Sequence, residues 1–197
     1  LGDDLFSEAL IFNQDGGTIL AGTDAGKIID WEYGFDRRRT TIDAHSSRIT
    51  TMKSSSDGDR FVSGAGDGSI KVWLAGNKSN QLTFMRHAHS VADIVFSDDR
   101  DSMVTIDMVQ QTNFWDIRSG LLRSSETRHP TFVRAISAIP NSNLVLTGSD
   151  FGQVWIWDLL SGERTRSLTE QSSPVYNLDF SDDGTRLAVG SLEQVSF

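Results

Sequence analysis

Three features of this 197-residue chain predict an all-β fold of repeated four-stranded units. Four tryptophans, Trp31, Trp73, Trp115 and Trp157, stand 42 residues apart. Three further columns keep the same step: turn-forming Asp15, Asp57, Asp99, Asn141 and Asp183; apolar Leu10, Met52, Ile94, Ile136 and Leu178; and Gly22, Gly64, Ile106, Gly148 and Gly190. Short runs alternate between polar and apolar residues, and no segment keeps a 3.6-residue apolar period over three turns.

The second unit shows the elements in order. Residues 49–52 read as a first strand, closed by the turn Ser56-Asp57-Gly58-Asp59. Residues 60–63 form a second strand and residues 64–68 a second turn. Ser69-Ile70-Lys71-Val72-Trp73 alternates as a half-buried strand must, and residues 81–86 supply a fourth. The last unit repeats the pattern at 175–180, Asp182-Asp183-Gly184 and 186–189. Asp, Asn, Ser and Gly recur where turns need local capping or positive φ.

One such unit cannot bury both of its faces. Units stacked around an axis bury each other's faces and leave only short edges, which makes the expected architecture a β-propeller of antiparallel four-stranded blades. An interval of 42 residues lies in the range for such blades. The expected repeats are 3–44, 45–86, 87–128, 129–170 and an incomplete 171–197, about 4.7 units in all. The fifth stops two residues before its expected Trp, so the chain reads as part of a larger propeller.

Composition narrows the function. The formal net charge is −9, which argues against direct nucleic-acid or anionic-membrane binding. No apolar run approaches the length of a membrane span. Zero cysteines exclude a disulfide framework and thiolate-ligated metal, and fit a reducing compartment. The expected setting is therefore intracellular, cytoplasm or nucleus.

The second unit, His45 … Phe61-Val62-Ser63-Gly64-Ala65-Gly66-Asp67-Gly68-Ser69-Ile70-Lys71-Val72-Trp73, resembles the WD40 repeat family, and the resemblance covers nearly the whole chain. The family implies about seven blades and a buried hydrogen-bonded tetrad of His, Ser or Thr, Asp and Trp. His45, Ser63, Asp67 and Trp73 match it residue by residue. The third unit keeps His87, Thr105 and Trp115, with Val109 at the Asp position. The fourth keeps His129, Thr147 and Trp157, with Phe151 at that position and Asp150 one residue early. In the first unit only Trp31 matches, Asp3 and Ala21 standing at the His and Ser positions.

No catalytic set is expected. Three of the four histidines fall at tetrad spacing on different units, which leaves no metal cluster. Gly64-Ala65-Gly66-Asp67-Gly68 is followed by a strand, so no helix N-terminus is there to hold a phosphate. No cofactor is implied.

Binding is the expected role. In the family, partners dock at exposed positions of the innermost strand and just before the tetrad Asp. By that resemblance the partner-binding residues are Phe6, Glu8, Arg48, Met108, Phe132, Arg134, Asp150 and Tyr176. Aromatics and Arg are the residue types enriched in interface hot spots. Phe6, Phe132 and Tyr176 with Arg48 and Arg134 would suit a peptide with acidic and apolar anchors.

The resulting expectation is a non-catalytic scaffold or adaptor that binds proteins or peptides within a larger complex. An alternative comes from Trp115-Asp116-Ile117-Arg118, which resembles the motif through which WD40 substrate receptors of cullin-type ubiquitin ligases reach an adaptor, with Arg118 as the contact. Arg37-Arg38-Arg39-Thr40-Thr41 reads as a solvated outer strand. Asn77-Lys78-Ser79 fits a glycosylation acceptor.

Overall fold

The computed structural model describes residues 7–13, 16–32, 37–84, 87–97, 101–126, 132–170, 173–181, 183–191 and 195–196. Every regular element among these residues is a β-strand. The first sheet holds β1 (Ser7–Phe12), β2 (Thr18–Thr23), β3 (Lys27–Glu32) and β4 (Arg37–Asp43). The second holds β5 (Ile49–Ser54), β6 (Arg60–Ala65), β7 (Ile70–Leu74) and β8 (Asn80–Phe84). The third comprises β9 (Val91–Phe96), β10 (Ser102–Asp107), β11 (Thr112–Asp116) and β12 (Leu121–Glu126). The fourth comprises β13 (Val133–Ala138), β14 (Leu144–Ser149), β15 (Gln153–Asp158) and β16 (Arg164–Glu170). The fifth has β17 (Val175–Phe180), β18 (Leu187–Ser191) and β19 (Val195–Ser196). In each sheet the strands lie in chain order.

The strands differ from the sequence reading at their ends. The first runs to Ser54 and the second to Ala65, because pairing continues as Lys53 with Val62 and Ser54 with Phe61. The fourth strand is Asn80–Phe84, whereas residues 85 and 86 lie outside the described set. Two members of the recurrent Asp column, Asp57 and Asp183, make Asx turns. The Asp57 carboxylate accepts from Ser55 Oγ and the Asp59 amide, and Asp183 accepts equivalently from Ser181 and Thr185.

The chain divides into two compact units, residues 1–94 with 107–109, and residues 95–106 with 110–197. The first has a core of Leu20, Ile28, Ile49, Met52, Phe61 and Trp73, in which β5 packs on β1 and β2. Phe61 and Trp73 stack with ring centroids 5.8 Å apart and planes 7° from parallel. In the second unit, one core joins Val104, Phe114, Val145, Trp157 and Leu159. Another joins Leu146, Val154, Ile156, Val175, Leu178 and Val189, where β17 packs on β13 and β14. First-strand packing of one sheet on the sheet before it is the blade-on-blade contact of a β-propeller.

This contact explains why the apolar and glycine columns share a step. A Cβ on Gly22 would lie 2.6 Å from Ile49 Cγ2 and 2.9 Å from Met52 Sδ. One on Gly64 would lie 2.6 Å from Val91 Cγ1 and 3.0 Å from Ile94 Cδ1. At Gly148 it would overlap Val175 Cγ1. Only hydrogen fits where the next first strand presses in.

Ile106 breaks the column in the second unit, and the seam adjusts around it. Its side chain is buried with Ile136, and Val133 is only half-buried. Ile49, Val91 and Val175, at the equivalent position, are fully buried. Leu10 departs as well. It is 64% exposed where Met52, Ile94, Ile136 and Leu178 are buried.

Gly148→Ala should therefore lower stability by about 1–3 kcal/mol in urea denaturation, through overpacking against Val175. Gly76→Ala, with nothing within 4 Å of the added methyl, should stay within about 0.5 kcal/mol of the parent.

Candidate partner-binding surface and the networks beneath it

Four of the sheets place one residue of the first strand outside the pairing ladder. Register shifts fall between Ser7 and Ala9, Ile49 and Thr51, Val133 and Ala135, and Val175 and Asn177. The skipped residues are Glu8, Thr50, Arg134 and Tyr176. A bulge of this kind bends the strand and re-aims a side chain. Three of the four were singled out from the sequence as partner-binding positions, and Thr50 is the fourth member of the column. The Thr50 hydroxyl is spent inside the protein, donating to the Val91 carbonyl at 2.6 Å.

Arg134 makes the most organised of these sites. Its Nε donates to Asp150 Oδ1 at 2.5 Å and its Nη2 to Asp150 Oδ2 at 3.1 Å, a bidentate pair. The Asp150 amide donates to the Phe132 carbonyl at 2.9 Å, which pins the β14–β15 turn to the start of β13. The Asp150 hydrogen bonds hold the Arg134 guanidinium firmly protonated, and Tyr176 lies within electrostatic reach of it. Phe132 is 59% exposed and Tyr176 46%. Phe151, at the family's Asp position, is 70% exposed and joins this surface. The sequence reading gave Phe151 no binding role. Its signal was an aromatic residue standing at the tetrad Asp position, beside Asp150.

Of the other expected partner positions, Met108, Arg48 and Glu8 belong to the first compact unit. Met108 is exposed on the turn after β10, where its amide donates to the Ser90 carbonyl. Arg48 is exposed and lies beside Gly66. Glu8 lies in β1, its side chain outside the described set, and Phe6 lies outside the described residues, as do Asp3, Asp15 and His129. Arg118 is exposed and paired with Asp101 at 2.5 Å. The neighbouring Asp116 is claimed by Arg123.

Beneath the surface of the second sheet runs a chain of polar bonds. Trp73 Nε1 donates to Ser63 Oγ at 2.9 Å. Ser63 Oγ and His45 Nε2 are 2.7 Å apart, as are His45 Nδ1 and Ser69 Oγ. Ser69 Oγ then donates to Asp67 Oδ1 at 2.6 Å. The donors can all point one way only if Nδ1 carries the imidazole proton, so the network assigns that tautomer. Asp67 thus reaches His45 through Ser69 and not directly. Its other oxygen, Oδ2, accepts from Ser46 Oγ, and the Ser69 amide donates to Oδ1.

The electrostatics agree with a neutral ring. Burial, with the Lys71 ammonium adding to it, lowers the His45 pKa from 6.5 to about 4, and Asp67 opposes the shift. The Lys71 ammonium itself is capped by the Ala44 carbonyl. Asp67 is held at about 2, where hydrogen bonds from Ser46 and Ser69 outweigh the opposing effect of burial.

In the second unit the third and fourth sheets carry the indole end of this chain. Trp115 Nε1 donates to Thr105 Oγ1, and Trp157 Nε1 to Thr147 Oγ1, both at 2.8 Å. In the first unit His87 Nδ1 lies 3.4 Å from Asp107 Oδ2, both side chains fully buried. Burial lowers the His87 pKa, His89 adds to this, and Asp107 opposes it. The column argument put Val109 at the acidic position. The carboxylate comes instead from Asp107, two residues earlier at the end of β10, and Val109 is exposed on the turn.

A further column of the same step emerges from the backbone. Gly26, Gly68, Gln110 and Gly152 all have positive φ, between 73° and 80°. At Gly68 an added Cβ would overlap the His87 carbonyl oxygen. Gln110 adopts this left-handed conformation with a side chain, whose Oε1 accepts the Val133 amide at 2.5 Å. Among the described residues no three His, Cys, Asp or Glu side chains are placed to hold a metal ion, and no helix is long and apolar enough to cross a membrane.

A family model described as "WD domain, G-beta repeat" matches residues 36–73, 121–158 and 162–194. No curated protein matches the chain.

Trp73→Ala should destabilise the protein by roughly 2–5 kcal/mol in urea denaturation, because it removes a buried ring and leaves Ser63 short of a donor. Stability should also fall as pH drops from 6.5 towards 4. In that window the unfolded chain binds protons that half-buried His45 and buried His87 refuse. The urea midpoint should track this fall, and His45→Gln combined with His87→Gln should flatten it.

Proposed function

The chain belongs to the WD40 repeat family, and from that premise we propose that it is a non-catalytic platform holding other proteins within a larger assembly. WD40 domains bind other proteins, and their repeats are typically non-catalytic. The observation that carries the reading is the exposed group of Phe132, Arg134, Asp150, Phe151 and Tyr176 over a rigidly paired sheet. Exposed aromatics beside an oriented Arg have the composition of an interface centre. The Arg134 guanidinium is held by Asp150 before any partner arrives, which lowers the ordering cost of association.

The substrate-receptor alternative leans on Arg118. That guanidinium is exposed, yet its charge is answered by Asp101. A platform needs no free cation at that place, and the Arg134 surface supports it independently.

Proximity labelling in cells with the parent chain, Phe132→Ala and Arg134→Ala checks the reading. Each substitution should remove a set of labelled neighbours and leave the melting temperature within about 2 °C of the parent, since both side chains stand in solvent. A fall in melting temperature that parallels the lost labelling would make these residues structural and end the proposal.

A further inference from the structure

We infer that the Phe132–Arg134–Asp150–Phe151–Tyr176 surface receives a peptide segment in which an Arg or Lys stands beside an apolar residue, the cation seating on the aromatic faces. This rests on the platform reading and adds the chemistry of its partner. Both carboxylate oxygens of Asp150 are engaged by Arg134, so the one cation of the surface is neutralised where it stands. An acidic anchor would have to compete with a bidentate carboxylate already in place.

The rings offer the opposite preference. Phe132 and Phe151 flank a single backbone hydrogen bond, from the Asp150 amide to the Phe132 carbonyl, and are among the most exposed large apolar side chains of the described residues. Aromatic faces carry negative potential and attract guanidinium and ammonium groups within about 6 Å. The same unit already contains one such pair, with the Arg164 guanidinium carbon 4.2 Å from the Trp155 ring centroid. At longer range the net charge of −9 favours approach by a basic segment over an acidic one. The uncharged edges of the phenyl rings and the methylene stem of Arg134 leave room for an apolar neighbour of the cation.

Selection from a random peptide library displayed on phage, at physiological salt, reads the preferred chemistry directly. The selected peptides should be enriched in Arg or Lys next to an apolar residue. One such peptide, labelled and followed by fluorescence anisotropy, should bind about tenfold more weakly when its cation is replaced by Gln, and more weakly still with Glu. Phe132→Ser combined with Phe151→Ser should weaken it by a similar factor. That pair leaves the net charge untouched, so it separates ring binding from general attraction to an acidic protein. Leu121→Ser, which alters another exposed apolar residue, should leave binding unchanged. Enrichment in Asp or Glu, in apolar residues alone, or in peptides indifferent to the double substitution would each overturn the inference. Loss of labelled neighbours on Phe132→Ala in cells, together with acidic selected peptides, would sink this chemistry and spare the platform; no surface-dependent neighbours at all would sink the platform itself.

Discussion

The side chains of one first strand filling the space that a glycine leaves on the sheet before it is the contact on which this architecture rests. Ile49 and Met52 fill it at Gly22, Val91 and Ile94 at Gly64, and Val175 and Leu178 at Gly148. A four-stranded sheet has no other way to hide its face, and a side chain at the glycine would hold the sheets apart. The Ile106 seam shows the effect of such a side chain. Val133 moves outward relative to its counterparts, and its amide is held by the Gln110 side chain.

Polar groups settle what apolar contact leaves open, namely how the strap before each first strand is held to its own sheet. In the second sheet every donor from Trp73 to Ser69 faces towards Asp67, so the carboxylate orients an uninterrupted series of dipoles. In the third sheet a direct His87–Asp107 pairing takes its place, with a carboxylate from a different column. The two solutions share a neutral imidazole kept so by burial, and they differ in which loop supplies the negative charge.

Much of this was legible from spacing. The Trp, apolar and glycine columns announced the sheets and their contacts, because each residue type answers a constraint that recurs once per unit. Register at strand ends was less legible, since pairing runs on through Lys53 and Ser54 without any change of pattern. Asp107 escaped because column reasoning fixes the position of a function, whereas folding needs only a carboxylate within reach. Phe151 escaped for the converse reason: it was read as a missing Asp, when its exposure makes it a surface residue in its own right. The positive-φ column of Gly26, Gly68, Gln110 and Gly152 was present in the sequence. Gln110 masked it, because glycine is the usual sign of that conformation.

The bulges at the head of the first strands have a wider consequence. Each exempts a single residue from backbone pairing, so the ladder on either side is indifferent to what that residue is. Glu8, Thr50, Arg134 and Tyr176 show the result, as acid, hydroxyl, base and phenol occupy one structural address. A substitution at such an address leaves the strand ladder untouched, so recognition can diverge there while the pairing of the sheets is inherited intact.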